Sequence, residues 1–195
     1  MTDNKTLDLI LRGAHTHNEF TDRPVSDDQL REIHELLKWG PTSANSQPMR
    51  IVFVRSREAK EKLSPALSDT IRGKTIKAPV TALIAYDTRF YEHLPKTFHN
   101  PEAINWFRGP DKTAVAEITA FRNGTLQGAY FIIAARAVGL DCGPMSSFDN
   151  AKADAAFFPE GRFKSNFLVN LGYGDRSKLS PRNPRLTFDE QCQFA

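Results

Sequence analysis

Cysteine is nearly missing from this chain: Cys142 and Cys192 are the only two in 195 residues. Two thiols make no disulfide framework and suit a reducing cytoplasm, where the protein is expected. Long apolar runs are missing as well. The strongly apolar stretch Ala129 to Ala135 is far too short to span a bilayer and is closed by Arg136. The first residues, Met-Thr-Asp-Asn-Lys, lack the apolar segment of a secretory signal. Charge of one sign is scarce: 26 lysines and arginines face 23 acidic residues, a net charge of +3, and no basic run resembles a nucleic-acid arm. Neither a membrane nor a nucleic acid is therefore expected as a partner. A pI near 8.9 still permits an anionic ligand.

Several chemical signatures are absent too. There is no Walker sequence and no Gly-x-Ser-x-Gly elbow. Gly172-x-Gly174 follows an apolar run, but the third glycine of a dinucleotide fingerprint is missing, and the chain runs on into Pro181 and Pro184 instead of a helix. His15-x-His17 has no further histidine, cysteine or acidic cluster at ligand spacing, so no metal site is expected. Cys142, beside Gly143 and Pro144, reads as a small packed thiol more readily than as a nucleophile. No protein side chain is assigned a catalytic role.

What is present is an ordinary globular composition, 40% hydrophobic and 25% charged, with no repeat and no linker. One domain over residues 1–195 is expected. Leu7, Ile10, Leu11 and Ala14 recur at helical spacing and predict a short helix ending near His15-Thr16-His17-Asn18. Ser26 and Gln29 form a capping box, Leu30, Ile33 and Leu37 give the buried stripe behind it, and Gly40-Pro41 stops the helix. After the loop 41–48 come a strand at 51–54, a charged helix from about Arg57 limited by Pro65, and a strand at 80–86 apolar enough to be buried on both faces. Residues 88–112 read as a long irregular, aromatic segment, which inside a compact domain is usually functional. Thr113 to about Val138 reads as one helix, too widely apolar for a single stripe, with Gly124 and Gly128 making a smooth spot; such a helix is central or shared with a partner subunit. Residues 141–148 read as a turn-rich connection, Asp149 as the cap of a short helix through Phe157, and 167–171 as a third strand. The pattern is α+β. Five polar and cationic loops, 15–18, 42–47, the neighbourhood of Lys74, 143–146 and 182–185, are rich in donors and poor in carboxylates, which suits a phosphorylated, hydrogen-bonding ligand.

Pro41-Thr42-Ser43-Ala44-Asn45-Ser46-Gln47-Pro48, between a capped helix and a strand, resembles the Pro-Ser-x-x-Asn-x-Gln-Pro loop of the flavin-dependent nitroreductase family. Gly139-Leu140-Asp141-x-Gly143-Pro144-Met145 after the long helix, and Asn170-Leu171-Gly172-Tyr173-Gly174, are similar to that family as well. Trp39–Asn45, Ala120–Asn123, Gly143–Ser146, Lys164–Asn166 and Gly172–Asp175 look like its short branch containing malonic semialdehyde reductase, a 3-hydroxypropanoate dehydrogenase. The resemblance implies a three-layer α+β fold: a mixed, mainly antiparallel sheet flanked by helices, with a long central helix.

The resemblance also implies FMN at a homodimer interface, with NADH or NADPH as co-substrate. Thr16 stands where a phosphate- or ribityl-binding serine usually sits, and Asn18 where a basic residue faces the pyrimidine edge. The usual Arg-x-Ser is here Ala14-His15-Thr16, so His15 or the displaced Arg12 would replace the phosphate arginine. Ser43, Asn45 and Gln47 would reach the flavin from the neighbouring loop, and Lys74 would lie near the isoalloxazine. Pro144, Met145 and Ser146 would lie over the ring, with the Ser146 N–H directed at N5, while Arg182 and Arg185 would hold the phosphate. The implied activity is that of an NAD(P)H oxidoreductase: flavin-mediated hydride transfer to a small carbonyl acid such as malonic semialdehyde, giving 3-hydroxypropanoate. Arg122 is the candidate for the substrate carboxylate, against a structural pairing with Glu117 or a backbone carbonyl. Phe90, Tyr91 and Trp106 would narrow the entrance. A broad-specificity nitro or quinone reductase, and a flavin-binding module without turnover, stay open beside this reading.

Overall fold

The computed structural model describes residues 3–195. An N-terminal helix, Asn4–Leu7, widens into a π-helical turn over Asp8–Arg12. Helix α1 (Asp27–Leu37) starts at the predicted capping box: the Gln29 N–H donates to Ser26 Oγ, and the Ser26 N–H donates to Gln29 Oε1, both at 3.2 Å. The chain then runs through β1 (Met49–Val54), α2 (Arg57–Leu63), α3 (Asp69–Lys77), β2 (Val80–Asp87), the long α4 (Thr113–Ala137), β3 (Asp141–Met145), α5 (Asn150–Phe157) and β4 (Phe163–Gly172). The strands form one sheet in the order β1-β2-β4-β3, with every pair antiparallel.

Strand β2 explains the three layers. All eight of its residues are buried, and alternate side chains serve opposite faces. Val80, Ala82 and Ile84 join Ile33, Leu37 and Phe131 beneath α1 and α4. Leu83 and Ala85 join Leu63, Ile71, Ala153 and Leu168 beneath α2, α3 and α5. The glycines of α4 turn inward: a Cβ at Gly124 would lie 3.0 Å from Tyr86, and one at Gly128 only 2.4 Å from the Phe167 ring. The smooth spot therefore packs on the chain's own sheet. The surplus apolar surface lies elsewhere on α4, at Val115, Ile118, Phe121 and Leu126, each more than two-fifths exposed. No helix among the described residues is long and apolar enough to cross a membrane.

Three expectations need correction. Residues 141–145 are a strand, not part of a turn-rich connection. Pro144 is tolerated because β3 is an edge, where a missing N–H breaks no ladder. Lys74 lies on a helix, α3, whose buried residues are only Ile71 and Thr75, too few to show as a stripe. Residues 88–112 are not irregular: they fold into short helical turns at Phe90–His93, Leu94–Thr97, Pro101–Trp106 and Pro110–Lys112. A third core of Phe90, Leu94, Ala103 and Phe107 against Ala116 and Ala120 holds those turns on α4.

Candidate functional site

The predicted residues fall into two sets. The first is built on the turn 14–18, which lies along the free edge of β3. Thr16 bridges Cys142, and the His17 N–H donates to the Cys142 carbonyl at 2.9 Å. His17 anchors the turn. Its ring is 3% exposed, its Nε2 lies 3.4 Å from Asp141 Oδ1, and Asp141 Oδ2 in turn accepts from the Gly174 N–H at 2.9 Å. Glycine is needed at two of these contacts, since a Cβ at Gly174 would sit 1.9 Å from His17 Nδ1 and one at Gly143 2.3 Å from the His17 carbonyl. Burial holds the His17 imidazole below the usual histidine range, against the opposing pull of Asp141.

Cations converge on this turn. Lys74 Nζ donates to Asn18 Oδ1 at 2.8 Å, reaching over from α3. An Arg182 amino group donates to the Ala14 carbonyl at 2.9 Å. His15 is half-buried and Thr16 exposed. Met145 Sδ is 3.8 Å from both Thr75 Oγ1 and Asn170 Nδ2, which ties the end of β3 to α3. Pro144 is half-buried in β3 opposite Val169, and Ser146 is exposed just beyond the strand. Two carboxylates near the turn are already engaged, Asp141 by His17 and Gly174, Asp175 by Ser177, while Glu19 beyond Asn18 is exposed. A turn held by Lys74 and Arg182, with Asp141 and Asp175 engaged, is suited to an anion.

The second set is the loop 42–47, which leads into β1 at the opposite edge of the sheet. The edges β1 and β3 are three strand steps apart, about 14 Å at ~4.8 Å per step. The Ser43 N–H donates to Asn123 Oδ1 at 2.8 Å, Asn45 Nδ2 to the Thr97 carbonyl at 2.7 Å, and the Gln47 N–H to Thr42 Oγ1 at 3.2 Å. Ala44, Asn45 and Gln47 have φ of 50°, 48° and 43°, a left-handed conformation that costs non-glycine residues energy and tends to mark functional loops. A cavity of about 930 Å³ opens beside this loop between α1 and β1, lined by Leu30, Ile33, Gln47, Ile51 and Phe53.

The remaining candidates separate. Arg122 is exposed and has no ion pair among the described residues, and its expected structural partner Glu117 is taken by Lys164 at 2.6 Å. Phe90 cannot line an entrance. It is fully buried, with its ring centroid 4.9 Å from that of Phe107. Tyr91 is half-buried against Phe90, whereas Trp106 is half-exposed beside Phe98. Arg185 turns back on the carbonyls of Asn183 and Pro184, and Arg12 on Asp8 and Asn4, so neither reaches the turn 14–18. His17, Asp141, Asn123 and Gln127 were not singled out as site residues from the sequence. The signal for the last two was available: two amides four apart on a mostly apolar helix.

Comparison with known proteins identifies the family. Residues 11–173, more than half of the chain, match the nitroreductase family. The chain is 55% identical over 196 residues, all of both proteins, to HadB of Ralstonia pickettii, which carries the provisional name NADH dehydrogenase/NAD(P)H nitroreductase. It is 58% identical over 188 residues to a Xanthomonas oryzae protein of the same provisional name, covering 96% of this chain and 95% of that one. In fold it is similar to a crystal structure from Exiguobacterium sibiricum described as a provisional nitroreductase in complex with FMN, with a TM-score of 0.86 at 17% identity over 100% and 99% of the two chains. Identity above one half along the whole length, together with the family match over residues 11–173, means that this chain belongs to the nitroreductase family.

Proposed function

We propose that the protein is an FMN-dependent NAD(P)H oxidoreductase that acts as a homodimer and reduces a small carbonyl acid, malonic semialdehyde being the leading candidate. The observation that carries the reading is the cationic turn: Lys74 and Arg182 bound to Asn18 and Ala14, with the nearby Asp141 and Asp175 already engaged. That donor set fits a phosphate-bearing, hydrogen-bonding cofactor. Thr16, His15 and Arg182 would hold the phosphate end and Lys74 with Asn18 the pyrimidine edge, while Met145 and Ser146 would bound the ring. The bound flavin would supply the two-electron chemistry, which accounts for the absence of a side-chain triad. The chain's own residues bind, orient and exclude water. A lysine ammonium beside the ring favours negative charge developing there.

The division of the site supports dimerisation. The turn 14–18 and the loop 42–47 flank opposite sheet edges, so a second copy is the simplest way to bring loop residues Ser43, Asn45 and Gln47 to the cationic turn. Exposed Trp39, Ile118 and Phe121 offer apolar surface for that contact. For the substrate, unpaired Arg122 suits a carboxylate, which is costly to leave without a partner in a partly dry site. The exposed Trp106 beside Phe98 instead favours a flat aromatic acceptor and supports a second reading, a broad nitro or quinone reductase. Steady-state oxidation of NADH and NADPH by purified, yellow protein decides between them. Turnover with malonic semialdehyde supports the first reading, and turnover with only nitroaromatics or quinones removes it. Colourless protein that does not take up FMN overturns both.

A further inference from the structure

We propose that Asn123, Gln127 and Tyr130 on α4 are positioning residues that hold the loop 42–48 in its strained conformation, so that Asn45 and Gln47 are presented to the ligand; this rests on the FMN reading above. The three residues are spaced i, i+4 and i+7 and lie on one face of the helix. Asn123 grips the loop itself, while Gln127 and Tyr130 fix its two ends. Asn123 Oδ1 accepts from the Ser43 N–H at 2.8 Å, Gln127 Oε1 accepts from the Met49 N–H at 2.9 Å, and the Tyr130 hydroxyl donates to the Pro41 carbonyl at 3.1 Å. Asn123 is itself oriented, because its Nδ2 donates to the Thr119 carbonyl at 2.9 Å. Gly40 lets the Tyr130 ring lie against the chain, since a Cβ there would come within 2.1 Å of it.

Two facts say that this grip does more than cover a helix. First, Asn123 and Gln127 are 6% and 4% exposed on a helix whose other buried residues are alanine, glycine and phenylalanine. Apolar side chains would pack there without the cost of burying amides, so the polar atoms are specifying the loop backbone. Second, the loop needs holding. Ala44, Asn45 and Gln47 are left-handed, and the loop's own bonds are two tight-turn contacts, Asn45 N–H to the Thr42 carbonyl and Ser46 N–H to the Ser43 carbonyl, both at 3.0 Å, with Gln47 N–H to Thr42 Oγ1 and Gln47 Nε2 to the Asn45 carbonyl at 3.4 Å. Apart from α4, only Asn45 Nδ2 to the Thr97 carbonyl and Arg50 to the Gln47 and Pro48 carbonyls add side-chain contacts among the described residues. Released from α4, these residues would relax to right-handed or extended backbone and turn the Asn45 and Gln47 side chains elsewhere.

Gln127→Met removes the acceptor at constant length, and Gln127→Glu retains it; Asn123→Leu is the independent second variant. Two measurements are made on apoprotein: FMN affinity by titration of flavin fluorescence, and hydrogen exchange of the amides of 42–49 and of β2 and β4. Gln127→Met and Asn123→Leu are expected to weaken FMN binding at least about tenfold, as loss of a buried acceptor allows, and to speed exchange in 42–49 while β2 and β4 stay protected. Gln127→Glu is expected to stay within about threefold of the parent affinity. Affinity within threefold of the parent in both acceptor-less variants overturns the proposal. So does loss of protection throughout the sheet in step with affinity, which would mark a merely structural role. If the parent protein binds no FMN, the functional reading fails, and the exchange of 42–49 still decides the grip: unchanged exchange refutes it, and selective loss of protection supports it.

Discussion

Lys60 offers a test that runs through pH. The residue is 5% exposed, and its Nζ donates to the Thr75 carbonyl at 2.6 Å, to the Ala78 carbonyl and to Thr81 Oγ1 at 3.4 Å. It thereby closes the C-terminal end of α3, the helix that carries Lys74. No carboxylate partners it among the described ion pairs, and burial pushes its pKa down to about 8 from 10.5. Between those values the unfolded chain binds more protons at this site than the folded one, so the contribution of Lys60 to stability rises with pH across that window. A shift of that size corresponds to about 3 kcal/mol, present as a penalty at pH 7 and relieved by pH 10.5. Lys60→Met removes the charge at similar length. Urea unfolding of parent and variant at pH 7, 8.5 and 10 isolates the term, because all other groups cancel in the difference. The stability of the variant relative to the parent should fall by about 2–3 kcal/mol between pH 7 and pH 10. A difference that does not change with pH would refute the reasoning and show that the carbonyl contacts hold the proton as well as water does.

Arg182→Ala should weaken FMN binding by about 1.5–3 kcal/mol, the value of a charge-assisted contact, and Arg185→Ala by much less, because only Arg182 reaches the turn 14–18; equal losses in fluorescence titrations would contradict this. Arg122→Leu should raise KM for malonic semialdehyde while leaving nitroaromatic reduction nearly unchanged, and equal loss of both activities would mark Arg122 as structural. Asp87→Asn should cost about 3–5 kcal/mol in chemical denaturation, since it removes the buried carboxylate that Arg50 meets at 2.8 Å and Arg162 at 2.9 Å; a loss under 1 kcal/mol would show that water or Glu92 takes over.

Local signals carried much of the fold. The Ser26–Gln29 capping box placed α1 because a cap is a contact between residues three apart. The near-continuous apolar run of β2 disclosed its central position, since a strand covered on both faces has no polar side to show. The extent of α4 and the cap at Asp149 were legible for similar reasons. Family membership was legible in the loop 41–48 and the glycine-rich strand ends, where backbone requirements leave few residue choices.

Tertiary structure decided the rest. Asp141–Met145 became a strand only because β4 offers it a ladder; its own glycine and proline point to a turn. Helix α3 owes its place to contacts at Ile71 and Thr75 rather than to any periodicity. Phe90 and Trp106 look alike as aromatic residues of one segment, yet Phe90 is fully buried and Trp106 half-exposed, because the segment folds around its own small core. The division of the candidate site between two sheet edges was equally hidden. Residue types and spacings named Thr16, Asn18, Lys74, Ser43, Asn45 and Gln47, but which of them meet depends on strand order, and strand order is set by long-range pairing that no local window contains.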